Sequence, residues 1–238
     1  MTKFTSIVKL FILAIWTILI IFIAFFAMVI TFSSKSAIWV AHKWWTPFIL
    51  FVLGAKMKVH GLNHIEKGKT YIILANHTSN LDIPMLTAGL PLLFYYVAKK
   101  EMKKIPFLGW IMTAVGMIFI DRTNKEKAIR SMRIAGNKIK KGKNIMIFPE
   151  GTFDGTKALL PFKKGAFHLA MHAQVDILPV AIINAEDVWP ERSSLELKPA
   201  SVALNIGKPI STKGLTAEGV NDIAEVTKKT IQSLLNIK

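Results

Sequence analysis

The chain has 238 residues, which suits one ordinary domain plus an appendage and is long enough to bury a core. It carries 31 lysines and arginines against 15 acidic residues, a formal charge of +16, and no cysteine, which excludes disulfides and thiol nucleophiles. Such basicity first suggests nucleic acid, but no nucleic-acid motif accompanies the lysines, which flank apolar segments as in Lys99-Lys100, Lys103-Lys104 and Lys140-Lys141.

No charged residue occurs from Leu10 to Ser33. A helix needs roughly 20 apolar residues to cross the hydrocarbon core, so this run is long enough. A signal-peptide apolar region is shorter, and Ser34-Lys35-Ser36 is a poor cleavage site. Membrane insertion is therefore expected. A second apolar stretch, residues 37–54, contains Lys43, Trp44, Trp45 and Pro47. Tryptophan with lysine favours the headgroup level, so this stretch reads as interfacial or as the return arm of a hairpin dipping into one leaflet. Lysines lie on both sides of the first run, which gives no orientation if it spans; a hairpin with both ends on the cytoplasmic side removes that conflict. With such an anchor, anionic lipid headgroups or a phosphorylated substrate suit the positive charge better than nucleic acid does.

From about Lys58 the pattern becomes that of a soluble α/β domain. The expected division is residues 1–57 as membrane-anchoring helices and 58–238 as a catalytic domain. Residues 71–75, 92–97, 117–120, 145–148 and 177–183 read as buried strands, with 202–206 as a late addition. Residues 83–88, 103–114, 125–141, 166–173 and 217–236 read as helices. Strands nearly continuous in apolar residues imply a largely parallel sheet covered by helices on both faces.

The first strand runs into Asn76-His77-Thr78-Ser79-Asn80-Leu81-Asp82. Positions five apart do not share a helical face, so His77 and Asp82 meet only if the chain turns between them. Thr78, Ser79 and Asn80 favour such a turn. Asp82 then falls in the first turn of the next helix, where the dipole stabilises a carboxylate. A carboxylate beside an imidazole fixes one tautomer and makes the other nitrogen a better general base. This is two thirds of a Ser-His-Asp triad without a protein nucleophile, a gap that a substrate hydroxyl can fill. Ser79 as nucleophile lacks a Gly-x-Ser-x-Gly elbow.

Arg122 lies just beyond the strand at 117–120, where α/β sheets place their ligand crevice. Its planar fork suits a phosphate or carboxylate, and a salt bridge is the structural alternative. Phe148-Pro149-Glu150-Gly151-Thr152-Phe153 leaves the next strand in the same way. Glycine lets backbone N–H groups approach an anion, and Glu150 can bond a substrate hydroxyl or hold Arg122. Lys163 and Lys164 precede the helix at 166–173, a placement favourable for an anion. His168 and His172 sit four apart, but the Glu of His-Glu-x-x-His and a third ligand are missing, so no metal is expected. His60 and His64 read as surface or turn residues.

These blocks resemble the glycerolipid acyltransferases of the 1-acyl-sn-glycerol-3-phosphate acyltransferase type, also called lysophosphatidic acid acyltransferases. Asn76, His77 and Asp82 match Asn-His-x-x-x-x-Asp; Phe119, Ile120 and Arg122 match Phe-Ile-x-Arg, with Gly116 ahead of it. Phe148 to Thr152 match Phe-Pro-Glu-Gly-Thr, and the segment around Pro179 matches a proline-centred apolar block. The four blocks occur in order between Gly61 and Ile183. The family's membrane-bound N-terminal helices also look like the residues before Lys58. The resemblance implies acyl transfer from acyl-CoA or acyl carrier protein to the 2-hydroxyl of lysophosphatidic acid, with His77 and Asp82 catalytic. Arg122, Glu150, Gly151, Thr152, Lys163 and Lys164 would bind substrate. It implies no cofactor, no metal and no nucleic-acid partner. Membrane lipid is an expected partner, with the protein at the cell membrane and its catalytic domain on the cytoplasmic side. The family usually has arginine after Glu-Gly-Thr, where this chain has Phe153. That change leaves other lysolipids open as acceptors. A non-catalytic module binding anionic lipid is the alternative from a different class.

Overall fold

A computed structural model of the chain describes residues 3–121, 124–153, 158–190 and 196–237. Its first element is α1, Lys3–Thr31 (29 residues), the one helix among the described residues long and apolar enough to cross a membrane. Only Ser6, Leu13, Ile20 and Ala24 of α1 are buried. Three of these recur every seventh position, so a narrow stripe faces the protein and the remaining apolar surface faces outward.

The chain reverses at Phe32 and Ser33. The Ser33 side chain accepts from the Lys35 amide and caps α2, Ser34–Val40. A π-turn, Ala41–Trp45, leads to α3, Thr46–Leu53. Pro47 has no N–H to offer the carbonyl of Lys43, and the wider turn absorbs that break in the ladder. The return arm is fastened to α1 by a bond from Trp45 Nε1 to Thr17 Oγ1 (3.0 Å) and by Trp16 against Phe48, ring centroids 4.3 Å apart. The two arms thus form a packed helical hairpin.

The sheet has seven strands: β1 Ala55–His60, β2 Ile72–Ala75, β3 Phe94–Lys99, β4 Ile118–Ile120, β5 Asn144–Ile147, β6 Ile177–Ile183 and β7 Ala200–Ile206. Their spatial order is β1-β7-β6-β2-β5-β3-β4, and every pairing is parallel except β6 with β7. The helices of this part are α4 Asp82–Gly89, α5 Leu108–Val115, α6 Lys125–Ile139, α7 Gly165–Ala173, the short α8 Ala185–Val188, and α9 Val220–Leu235. Successive residues of β2 enter opposite cores. Ile72 and Leu74 join Phe167 and Ile139 on one face, while Tyr71, Ile73 and Ala75 join Met85 and Leu53 on the other. Both faces are therefore covered, as continuous apolar strands require.

Beyond the unexpected short α8 and a 3₁₀ turn, Ala217–Gly219, that opens the last helix, two elements differ from the sequence expectation. β1 begins before Lys58 and alternates, with Lys56, Lys58 and His60 exposed between Ala55, Met57 and Val59. The helix expected over 103–114 is two pieces, a 3₁₀ segment Lys100–Lys104 and α5, separated around Pro106. Proline removes a helical donor and disfavours helix at the residue before it.

Candidate active site

β2 ends at Ala75, and Asn76 continues its ladder with a side chain in place of a backbone. Asn76 Nδ2 donates to the Ile182 carbonyl (2.9 Å), and Asn76 Oδ1 accepts from the Ile182 amide (2.7 Å). The main chain is thereby free to turn away from the sheet at His77 while β6 stays satisfied.

The turn then closes on Asp82. Asp82 Oδ2 accepts from the amides of Thr78 (2.7 Å) and Ser79 (3.0 Å) and lies 2.6 Å from His77 Nδ1. Ser79 Oγ donates to the Trp189 carbonyl (2.6 Å) and accepts from the Leu81 amide (3.1 Å), which fixes the loop from behind. Thr78 Oγ1 donates to Glu186 Oε2 (2.9 Å). α4 is held against β3 by Tyr96, whose hydroxyl donates to the Ile83 carbonyl (3.1 Å). Asp82 is fully buried, and the His77 side chain keeps 15 % of its surface exposed. Burial pushes the Asp82 carboxyl above its ordinary value, and the His77 ring and the two amides draw it part of the way back. A carboxylate at Nδ1 favours the tautomer with its proton on that nitrogen, which would leave the lone pair on Nε2. Phe148 stacks on the imidazole at 4.0 Å between centroids, and Phe153 lies tilted against it at 4.4 Å. Neither contact was read from the sequence, since aromatic packing across a turn leaves no spacing signal.

β5 delivers Glu150 to the same place. Its Oε1 accepts from the His77 amide (2.9 Å) and its Oε2 from the Leu160 amide (2.7 Å). Burial raises this carboxyl as well, opposed by the Leu160 and His77 amides. Gly151 adopts φ +78°, a left-handed conformation that favours glycine, and is buried, whereas Thr152 is exposed. Lys163 donates its amide to the Pro149 carbonyl (2.8 Å), and Lys164 sits at the N-cap of α7; both side chains are exposed. The lysine pair is thus pinned next to the Glu150 turn. Arg122 lies outside the described residues. Its neighbour Asp121 is paired with Lys100 Nζ (2.9 Å). His168 and His172 are both exposed on α7, and no cluster of three or more metal-ligating side chains occurs among the described residues.

An apolar cavity of about 420 Å³ opens beside this turn, between the hairpin and the sheet domain. Its lining includes Leu13, Ile18 and Trp45 from the hairpin, Asn80 from the turn after β2, Pro84 from α4, and Phe107. The arrangement brings together an imidazole with a carboxylate at Nδ1, two exposed lysines beside the Glu150 turn and an open apolar cavity. Such a set can deprotonate a hydroxyl on an amphiphile.

The sequence model of the family described as "Acyltransferase" matches residues 56–183. The chain is 37 % identical over 190 residues to the 1-acyl-sn-glycerol-3-phosphate acyltransferase of Saccharomyces cerevisiae, a match covering 79 % of this chain and 62 % of that protein. It is 30 % identical to the mouse 1-acyl-sn-glycerol-3-phosphate acyltransferase alpha, covering 77 % of this chain and 65 % of the relative. The crystal structure of the 1-acyl-sn-glycerophosphate (LPA) acyltransferase from Thermotoga maritima superimposes with a TM-score of 0.81 at 25 % identity, over 97 % of this chain and 93 % of that one. The chain thus spans just under two thirds of the length of these two curated relatives.

Proposed function

The chain belongs to the acyltransferase family, and from that premise we propose that it moves a fatty acyl group from an acyl thioester to the 2-hydroxyl of lysophosphatidic acid, giving phosphatidic acid. The observation that carries this reading is the His77 Nδ1 to Asp82 Oδ2 contact of 2.6 Å, which leaves Nε2 as the base.

His77 Nε2 takes the proton of the acceptor hydroxyl as its oxygen bonds to the thioester carbonyl carbon. Asp82 stabilises the imidazolium that forms. The tetrahedral intermediate collapses, the carbon–sulfur bond breaks, and the departing thiolate receives the proton from His77. Atoms and charge balance between two substrates and one base, with no acyl-enzyme. The donor is acyl-CoA or acyl carrier protein, both of which present the same thioester. Arg122, Lys163 and Lys164 take the acceptor's phosphate, as cations matched to its charge. Glu150 shapes the acceptor pocket by holding the His77 and Leu160 amides, and Gly151 and Thr152 line its edge. The apolar cavity takes an acyl chain.

The outward apolar face of α1 supports membrane association, and both substrate and product of this reaction are lipids. On this reading the protein sits at the cell membrane, with the sheet domain on the cytoplasmic side. His77→Ala in folded, reconstituted protein, assayed with an acyl thioester and lysophosphatidate, is expected to lose turnover by about 10²-fold or more; near wild-type turnover would refute the mechanism. Phe153 favours a second reading, another lysolipid acceptor, because an uncharged ring abuts His77 at that position. A lysolipid panel separates the two: loss of the phosphate abolishes transfer under the first reading only.

A further inference from the structure

The link between the 3₁₀ segment and α5 is built in an unusual way. Phe107 has φ +61° and ψ −56°, and the Leu108 amide bonds the Pro106 carbonyl at 2.6 Å. This is the γ-turn of the rare, strained hand. The turn is backed by Gly109, where a Cβ would lie 2.2 Å from the Lys103 carbonyl oxygen, so the chain can fold back this tightly only with glycine there. Strain of this kind persists where the surrounding structure imposes it, and it clusters at functional sites.

The turn pushes apolar side chains outward. Ile105, Phe107 and Trp110 are 41 %, 37 % and 64 % exposed. They are not isolated, since Phe107 lies 5.2 Å from Trp110 and 5.9 Å from Phe22 of α1, ring centroid to centroid. The patch therefore continues the outward apolar face of α1. Its rim is basic, for Lys99, Lys103 and Lys104 are exposed and make no salt bridge among the described residues. Its inner side belongs to the chamber, which Ile105, Pro106, Phe107 and Leu108 help to line.

We propose that residues 103–110 are a second membrane contact, contributed by the sheet domain itself, which seats Phe107 and Trp110 in an anionic bilayer and forms the lip through which lipid passes into the cavity. Apolar and aromatic side chains rimmed by lysines match the interfacial layer of an anionic leaflet. A second copy or a protein partner would bury the apolar tip equally well but gives no reason for the basic rim or for continuity with α1. The proposal rests on the membrane association assigned to α1.

The chain has no cysteine, so single cysteines can carry an environment-sensitive fluorophore without background. The full chain is reconstituted with phosphatidylcholine–phosphatidylglycerol vesicles, with and without brominated lipid, labelled as F11C, W110C or K213C. Labels at 11 and 110 are expected to shift to the blue and be quenched by bromine, while the label at exposed position 213 stays water-like. Quenching at 11 but not at 110 overturns the second contact and leaves the α1 reading intact. No quenching at either position overturns both. A blue shift at 110 without bromine quenching assigns the patch to protein association instead. Replacing Lys103 and Lys104 with glutamine weakens partitioning into anionic vesicles by roughly fivefold per lysine lost, with no change for neutral vesicles; equal behaviour in both overturns the anionic preference. None of these readouts depends on acyl transfer.

Discussion

Glu150 reaches across 73 residues of sequence to hold the backbone of His77, its Oε1 accepting from the His77 amide at 2.9 Å. The other oxygen accepts from Leu160, so one buried carboxylate fixes both the His77 backbone and the loop leading to Lys163 and Lys164. Glutamine supplies one acceptor and one donor, so Glu150→Gln turns an NH₂ toward one of the two amides. The expected loss of stability is about 1–3 kcal/mol, with a fall in turnover because His77 loses its anchor. Burial raises the Glu150 carboxyl above 4.5. As pH rises from 4.5 to that raised value, the unfolded chain releases its proton while the folded chain keeps it, and folding stability declines. The glutamine variant lacks this decline. Thermal midpoints in detergent should therefore show the wild-type advantage largest below pH 4.5 and shrinking through the window; an advantage that grows with pH contradicts the assignment.

Asp82→Asn separates charge from geometry. Oδ2 carries all three contacts, from His77, Thr78 and Ser79, whereas Oδ1 is buried without a partner among the described residues. An asparagine can place its carbonyl oxygen at the Oδ2 position and its amide group in the empty one, keeping the turn. What disappears is the negative charge that, in the proposed mechanism, stabilises the imidazolium. Turnover should drop by about 10²- to 10⁴-fold with KM for the lysolipid nearly unchanged. A variant that keeps its turnover would show that the carboxylate serves the turn alone.

The sheet was legible because β2, β5 and β6 are short and almost continuously apolar, bounded by turn residues. The His77–Asp82 turn was legible because a five-residue spacing is useless on a helix and Thr-Ser-Asn breaks one. β1 was hidden because its alternating pattern follows directly on the apolar α3, with only Gly54 between them. The break at Pro106 was missed because the helical period resumes within two residues. Contacts made across the sheet were beyond local pattern altogether: Glu150 to His77, Asn76 to Ile182, and the rings of Phe148 and Phe153 on the imidazole depend on strand order, which short-range periodicity does not encode.

Asn76→Ala tests how the dyad turn is launched. The side chain satisfies both the amide and the carbonyl of Ile182 in a position 2 % exposed. Alanine leaves two buried backbone groups unpaired at the end of β2, at a cost of about 1–3 kcal/mol for each. A clear fall in thermal midpoint is expected, together with weaker amide protection at Ile182 in hydrogen exchange. Aspartate in the same place keeps only the acceptor and should recover part of the loss. An alanine variant as stable as the parent would mean that β6 holds its end without Asn76.

Phe153→Ala tests whether the ring beside His77 contributes to turnover. Asp82 fixes the imidazole in its own plane through Nδ1, and Phe148 covers the ring by stacking. Phe153 adds a second aromatic contact at 4.4 Å and 60°, next to a turn whose Thr152 is already exposed. Removing it admits water beside His77 and gives the imidazole more torsional freedom. Aromatic pairs contribute about 0.5–1.5 kcal/mol beyond area burial, so kcat should fall by roughly twofold to tenfold. Tyrosine keeps the ring and should restore kcat; leucine keeps apolar bulk without the ring and should restore it only in part. If alanine instead raises KM for the lysolipid and leaves kcat alone, Phe153 is a wall of the acceptor pocket and the imidazole is held by Asp82 and Phe148 without it.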